Sequence, residues 1–181
     1  MINYKTFTSF DSNDSELYNY LKWWSKKTFV EPKMLDKTVE DLFAKLLFAV
    51  IAFDENKIIG AAGLIPCLKR NTTKMHESDR LVVELASNYV DHLYREHNIG
   101  TKFVNDRLSF CKKKNYFPVS VTSNTYIQKI FEHIGCDMKN YPEYEEIYQG
   151  VRICDCSKEQ TIHKVVCPMA NKAIWVFKEF I

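Results

Sequence analysis

The sequence predicts an α/β protein built on a mixed β-sheet. Three strand-like segments follow one another in the middle of the chain, and a strand-helix-strand-helix succession comes after them. The period of the apolar residues agrees, changing from helical to strand-like near residue 48 and back to helical near residue 101.

Residues 2–8, INYKTFT, alternate weakly and predict a first strand. Residues 14–29 place Leu17, Tyr20, Leu21 and Trp24 on one helical face, and Pro32 then interrupts. A second helix starts near Thr38, where Thr38 and Asp41 have capping-box spacing, and Val39, Leu42, Phe43 and Leu46 continue the apolar stripe. FAVIAF (48–53) and KIIGAAGLI (57–65) flank Asp54-Glu55-Asn56, a hairpin signal. After the polar loop NTTKMHESD, the stretch RLVVELASNYV (80–90) reads as a long strand. A helix follows from Thr101 to about Lys114, with Phe103, Val104, Leu108 and Cys111 on its buried face. PVSVTS (118–123) is a short strand, and the right-handed crossover makes it parallel to strand 80–90. NTYIQKIFEHIG (124–135) is a helix with Ile127, Ile130, Phe131 and Ile134 inward and Gly135 as its C-terminal cap. At least one more strand, AIWVF (173–177), comes later.

At 181 residues the chain fits one domain and can close a real core. Hydrophobic residues make up 46% and charged residues 27%, the balance of an ordinary globular protein. A net charge of +2 is too mild to indicate a polyanion, so no nucleic-acid partner is expected. No apolar run approaches the roughly 20 residues that span a bilayer, so no membrane partner is expected either. The opening MINYKTFTSFDSNDSE lacks the apolar core and cleavage site of a signal peptide, which makes the cytoplasm the expected location. Cys67, Cys111 and Cys136 lie inside apolar or helical patterns and are most simply reduced, packed thiols.

The stretch Tyr94–Phe103, YREHNIGTKF, joins the long strand to a helix. Such a place presents unpaired backbone N–H groups and the positive end of a helix dipole, which together attract anions, phosphates above all. Gly100 removes a side chain where a phosphate would approach, and Thr101 can cap or donate.

Arg95-Glu-His-Asn98-Ile-Gly100 resembles the Q/R-x-x-G-x-G/A acyl-CoA pyrophosphate loop of the GCN5-related N-acetyltransferases (GNAT). Val90-Asp-His-Leu-Tyr94-Arg95 is similar to that family's approach to the loop, and the hairpin with Gly60 to its second and third strands. Asn124-x-x-Ile127-x-x-x-Phe131-Glu-x-Ile134-Gly135 resembles its N-x-x-A-x-x-x-Y-E-K-x-G-F helix. The match runs from about Phe48 to Cys136. It implies one GNAT-like acyltransferase domain over residues 1–181, with a mixed, mostly antiparallel sheet of about six or seven strands flanked by about four helices. The implied order is β-α-α-β-β-β-α-β-α-β-β. Two positions depart from the pattern. Asn98 replaces the first loop glycine, and Asn tolerates a left-handed backbone better than other non-glycine residues. Phe131 replaces the tyrosine that often protonates the leaving thiolate.

The resemblance implies transfer of an acetyl group from acetyl-CoA directly to an acceptor amine. Backbone N–H groups of Glu96, Asn98, Gly100 and Thr101, in the loop headed by Arg95, would take the pyrophosphate. The end of the long strand around Asn88 and Val90 would pair with the pantetheine arm, a main-chain N–H facing the thioester oxygen. Asn124 would contact the cofactor through its side chain. Glu84, six residues before Val90 in the apolar run LVVELA, is the best candidate general base, because burial would raise its pKa toward neutrality. Its alternative is a carboxylate on the polar face of a strand. A thiol pKa near ~8.5 makes thiolate a tolerable leaving group without an acid, so Phe131 does not exclude catalysis.

Other groups have plainer readings. Cys154-x-Cys156, His163 and Cys167 could supply four zinc ligands, but a cysteine-rich hairpin is favoured. Trp23 and Trp24, with Tyr18 and Tyr20, could wall an acceptor pocket, although Trp24 reads first as core. Lys112-Lys113-Lys114 is best explained as a helix C-terminus complementing the dipole. His92 and His97 flank the loop as solvated positions, His97 being within reach of a phosphate. Besides an active enzyme using acetyl-CoA, a catalytically weak or inactive fold that retains CoA binding stays open, as do the acceptor and a homodimer.

Overall fold

The computed structural model describes residues 1–11, 13–31, 37–66, 80–120, 122, 124–140, 173–177 and 180. In chain order they form β1 (Ile2–Phe7), α1 (Ser15–Val30), α2 (Val39–Lys45), β2 (Phe48–Asp54), β3 (Lys57–Pro66), β4 (Val82–Val90), α3 (Ile99–Lys114), β5 (Phe117–Ser120), α4 (Thr125–His133), β6 (Cys136–Asn140) and β7 (Ala173–Phe177), with a single 3₁₀ turn at His92–Tyr94. The predicted order and the mixed α/β class both hold. Of the strand pairings with a described register, four are antiparallel and one, β4 with β5, is parallel as the crossover requires. Pro32, Cys67 and the loop 71–79 lie outside the described residues.

The chain divides into two compact units, Met1–Pro66 with Leu85–Lys114, and Cys67–Glu84 with Asn115–Ile181. In the first, the strands lie in the order β1-β2-β3-β4. β2 is apolar at nearly every position and its first five residues are buried, as expected of a strand covered on both faces. The hairpin loop is two residues, Glu55-Asn56, because Asp54 stays in the ladder opposite Lys57 and Glu55 takes up the left-handed turn at φ +53°. Asp14 opens α1 by accepting from the N–H groups of Glu16 and Leu17, and Thr38 and Asp41 form the predicted capping box on α2. Leu17, Leu21 and Trp24 of α1 meet Leu42, Leu46, Ala49, Ile51 and Ala61 in one buried cluster. Thr28, fully buried on the same helix, accepts from the Lys37 N–H at 3.0 Å and donates to the Ser25 carbonyl at 2.7 Å.

α3 starts at Ile99, two residues earlier than its sequence suggests. Its buried face holds Phe103, Val104, Leu108 and Cys111 as expected, and also Ile99 and Arg107. Phe103 meets the edge of Tyr4, and Phe110 stacks on Phe48 at 4.8 Å between ring centroids.

In the second unit the strand order is β4-β5-β7-β6. The start of β4 pairs with β5 from Val82↔Phe117 to Glu84↔Val119, and β7 pairs antiparallel with both β5 and β6. Phe131 of α4 is buried edge-on against Phe177 of β7 at 5.3 Å. Gly135 closes α4 at φ +81°, the left-handed C-terminal cap that its sequence predicts.

Candidate functional site

In the first unit β4 does not keep simple alternation. Ser87 sits at φ +53°, the left-handed signature of a bulge, with no glycine to permit it. Its carbonyl accepts from the Trp24 Nε1–H at 3.1 Å, and the Ala86 carbonyl lies 3.5 Å from Arg107 Nη1. Beyond the bulge, both amide atoms of the Asn88 side chain are buried without a hydrogen-bond partner among the described residues. Tyr89 packs edge-on against Trp23, and the Lys27 ammonium lies over both rings. Burial pushes the Tyr89 phenol pKa up. A Cβ at Gly60 would lie 3.0 Å from the Tyr89 carbonyl and 3.1 Å from the Phe103 ring, so the close approach of β3 to this segment depends on glycine.

The loop after β4 is tied down at several points. The Asp91 N–H donates to the Ile59 carbonyl at 2.8 Å, and the Asp91 side chain caps the 3₁₀ turn through the Leu93 N–H. The Tyr94 hydroxyl donates to Asp54 Oδ2 at 2.9 Å, and that hydrogen bond is the main reason the Asp54 carboxyl falls below the usual range. Arg95 donates to the Val90 carbonyl at 3.3 Å and pairs with Glu31 of α1 at 3.3 Å. Asn98 then stands at φ +57°, the conformation a loop glycine would supply. The helical ladder opens with the Lys102 N–H donating to the Asn98 carbonyl at 3.0 Å, which leaves the amides of Ile99, Gly100 and Thr101 ahead of it. α1 and α2 carry Glu16, Glu40 and Asp41 in their first turns, whereas α3 carries no acidic residue there. Its positive end has no acidic side chain in its own first turn. The donor set, a left-handed turn followed by helix amides unpartnered among the described residues and no carboxylate in the first turn of α3, fits a pyrophosphate.

The structure therefore gathers Asn88, Val90, Arg95, Glu96, Asn98, Gly100 and Thr101 along β4, the loop and α3 of one unit. Arg95, which heads the loop expected to take the cofactor, donates to the Val90 carbonyl and pairs with Glu31. Glu84 is half-buried at the last register pair of β4 with β5. Asn124 lies in the second unit, where its side chain caps α4 by accepting from the Tyr126 N–H at 3.0 Å. Trp24 is fully buried and Trp23 partly so, as expected; Tyr18 stacks on Phe43, while Tyr20 packs against Phe7 and Phe53. The set Cys154, Cys156, His163 and Cys167 lies outside the described residues, and no metal-binding cluster occurs among the described ones.

Three residues around β4 have roles in the packing that the sequence does not signal. Arg107 falls on the 103, 104, 107, 108, 111 stripe, so spacing would have placed it inward had its charge not argued against it. Ser87 carries no sequence signal for a bulge. Gly63 went unassigned, although a Cβ there would lie 2.9 Å from the Trp24 ring and 2.4 Å from Leu46.

Together, a mixed sheet and a long strand that turns left-handed into the start of a helix without first-turn carboxylates define an α/β protein whose helix start suits an anion. The profile of the acetyltransferase (GNAT) domain matches residues 15–154, and the chain belongs to that family of acetyltransferases. Among solved structures it is similar to Rv2747 from Mycobacterium tuberculosis, solved in complex with CoA and NLQ, at 13% identity over 96% of this chain and 98% of that one, with a TM-score of 0.60. An acetyltransferase of the GNAT family from Staphylococcus aureus Mu50 aligns over 97% of both chains at 16% identity and a TM-score of 0.55. A predicted acetyltransferase from Clostridium acetobutylicum, solved with acetyl-CoA, aligns over 75% of this chain and 89% of its own at 16% identity and a TM-score of 0.56. Comparison with curated protein sequences finds no match. Among the described residues no helix is long and apolar enough to cross a membrane.

Proposed function

We propose that the chain transfers an acetyl group from acetyl-CoA to an acceptor amine. The observation that carries this reading is the left-handed backbone at Asn98 directly before the uncapped first turn of α3. The family match and the CoA- and acetyl-CoA-bound neighbours support it. The match runs through residues of both units, which supports reading residues 1–181 as one acyltransferase domain. The buried thiol of Cys111, in no disulfide among the described residues, supports a cytoplasmic setting.

When bound, acetyl-CoA would supply an activated thioester; everything else falls to the protein. The amides of Glu96, Asn98, Gly100 and Thr101 would hold the pyrophosphate, and the Asn88–Val90 backbone would orient the pantetheine arm. Glu84 would take the proton from the attacking amine. Its support is a half-buried position in the strand that leads to Asn88. Phe131 is 1% exposed and packed against Phe177, so its position offers no acid for the departing thiolate. Solvent or the product ammonium would supply that proton. The same observation favours a second reading, a fold that keeps CoA binding with weak or no turnover.

Thermal unfolding with and without acetyl-CoA tests binding, and an unchanged midpoint at millimolar ligand removes both readings. Turnover across a panel of amines separates them. In an active enzyme Glu84→Gln should lower kcat about a hundred-fold; an unchanged rate removes Glu84 from the mechanism.

A further inference from the structure

We propose that Trp24 and Arg107 are positioning residues for acyl transfer: together they grip the Ser87 and Ala86 carbonyls and so fix the direction of the Asn88–Val90 backbone. This rests on the acetyltransferase reading of β4. Strand carbonyls ordinarily bond to a neighbouring strand. Here two successive ones meet side chains that reach in from two helices, Trp24 from α1 at 3.1 Å and Arg107 from α3 at 3.5 Å.

The grip is built and buried. Trp24 is 0% exposed and Arg107 1% exposed. The Arg107 guanidinium also donates to the Phe103 carbonyl of its own helix at 2.9 Å and to the Gly63 carbonyl of β3 at 3.3 Å. Among the described residues no carboxylate hydrogen-bonds it. A buried cation answered only by carbonyls is costly, and core packing alone would be better served by an apolar side chain. Burial pulls the guanidinium pKa down to about 9, so it keeps its charge at neutral pH. Gly63 takes part twice, since its carbonyl accepts from Arg107 and its missing side chain leaves room for the Trp24 ring.

The grip matters because Ser87 is not a residue that takes φ +53° unaided. Without it, β4 can relax to regular extended backbone and lose the left-handed residue at Ser87. A one-residue slip exchanges the faces of every side chain beyond it. Asn88 and Tyr89 would change places, Tyr89 would leave Trp23, and the main-chain N–H groups offered to a thioester would turn away.

Trp24→Phe and Arg107→Met each remove one hand of the grip at similar bulk. Val50→Ala, at a buried β2 residue outside these contacts, controls for general destabilisation. In folded protein the two grip variants should lose about ten- to a hundred-fold in kcat, with acetyl-CoA affinity within about three-fold of wild type because the pyrophosphate loop is untouched. Val50→Ala should keep its kcat. An unchanged kcat in folded grip variants, or an equal loss in Val50→Ala, overturns the proposal. If the wild-type protein turns over no amine, the acetyltransferase reading fails, and hydrogen exchange then decides the grip. Amides of Ser87–Val90 should exchange faster in Trp24→Phe and Arg107→Met than in Val50→Ala; equal protection overturns it.

Discussion

Two asparagines head two helices in this chain, and they do so in opposite ways. Asn124 holds an ordinary extended backbone at φ −75°, and its side chain caps α4 through the Tyr126 N–H. Asn98 holds a left-handed backbone at φ +57°, and its side chain makes no hydrogen bond among the described residues. The first quenches its helix's positive end from within, while the second shapes a turn and leaves that end open. The same residue type thus marks a finished structural element in one place and a receptive one in the other, and only the backbone conformation tells them apart.

The largest effect should come from breaking the left-handed turn. Asn98→Val puts a β-branched side chain at φ +57°, which should cost about 1–2 kcal/mol of stability. Acetyl-CoA affinity should fall about ten-fold or more, since the amides ahead of Lys102 would no longer converge. Asn98→Gly should keep both within a few tenths of a kcal/mol. Calorimetric titration and thermal unfolding read the two quantities, and an Asn98→Val protein that binds acetyl-CoA like wild type would show that the turn holds no phosphate.

A smaller change should move affinity and stability in opposite directions. Thr101→Glu gives α3 the first-turn carboxylate that α1 and α2 already have. The helix should gain about 0.3–1 kcal/mol from the dipole. Acetyl-CoA binding should weaken about ten-fold, because the new charge occupies the field meant for the ligand. If both quantities rise, or neither moves, the open end of α3 is no more receptive than the capped end of α4.

The same contrast explains what could be read from the chain before its structure was known. Hydrophobic periods and turn residues place every element in order except β6, which only the family resemblance implies, and the Thr38/Asp41 capping box and the Gly135 cap are local enough to be seen directly. α3 starts two residues before Thr101 because Asn98 hands the chain into the helix. The left-handed residue at Ser87 has no trace in the sequence, since the side chains that meet this segment, Trp24 and Arg107, are far from it in sequence. The loop was legible because its chemistry is backbone geometry set by neighbours in the chain. The strand that leads to it was not, because its geometry is set by tertiary contacts.

The smallest predicted effect separates the two duties assigned to Asn124. Its Oδ1 is committed to the Tyr126 N–H, and its carbonyl accepts from the Gln128 N–H at 3.0 Å, so among the contacts to described residues only Nδ2 is left for a cofactor. Asn124→Ala removes both and should cost about 1 kcal/mol of stability. Asn124→Asp keeps the cap and adds a favourable charge at the helix start, so stability should be retained. It nevertheless replaces the Nδ2 donor with an acceptor. If that donor meets acetyl-CoA, Asn124→Asp should weaken binding about five-fold, the worth of roughly one hydrogen bond. Unaltered affinity in Asn124→Asp beside a destabilised Asn124→Ala would make Asn124 a cap alone, and the cofactor contacts would then rest on β4 and the start of α3.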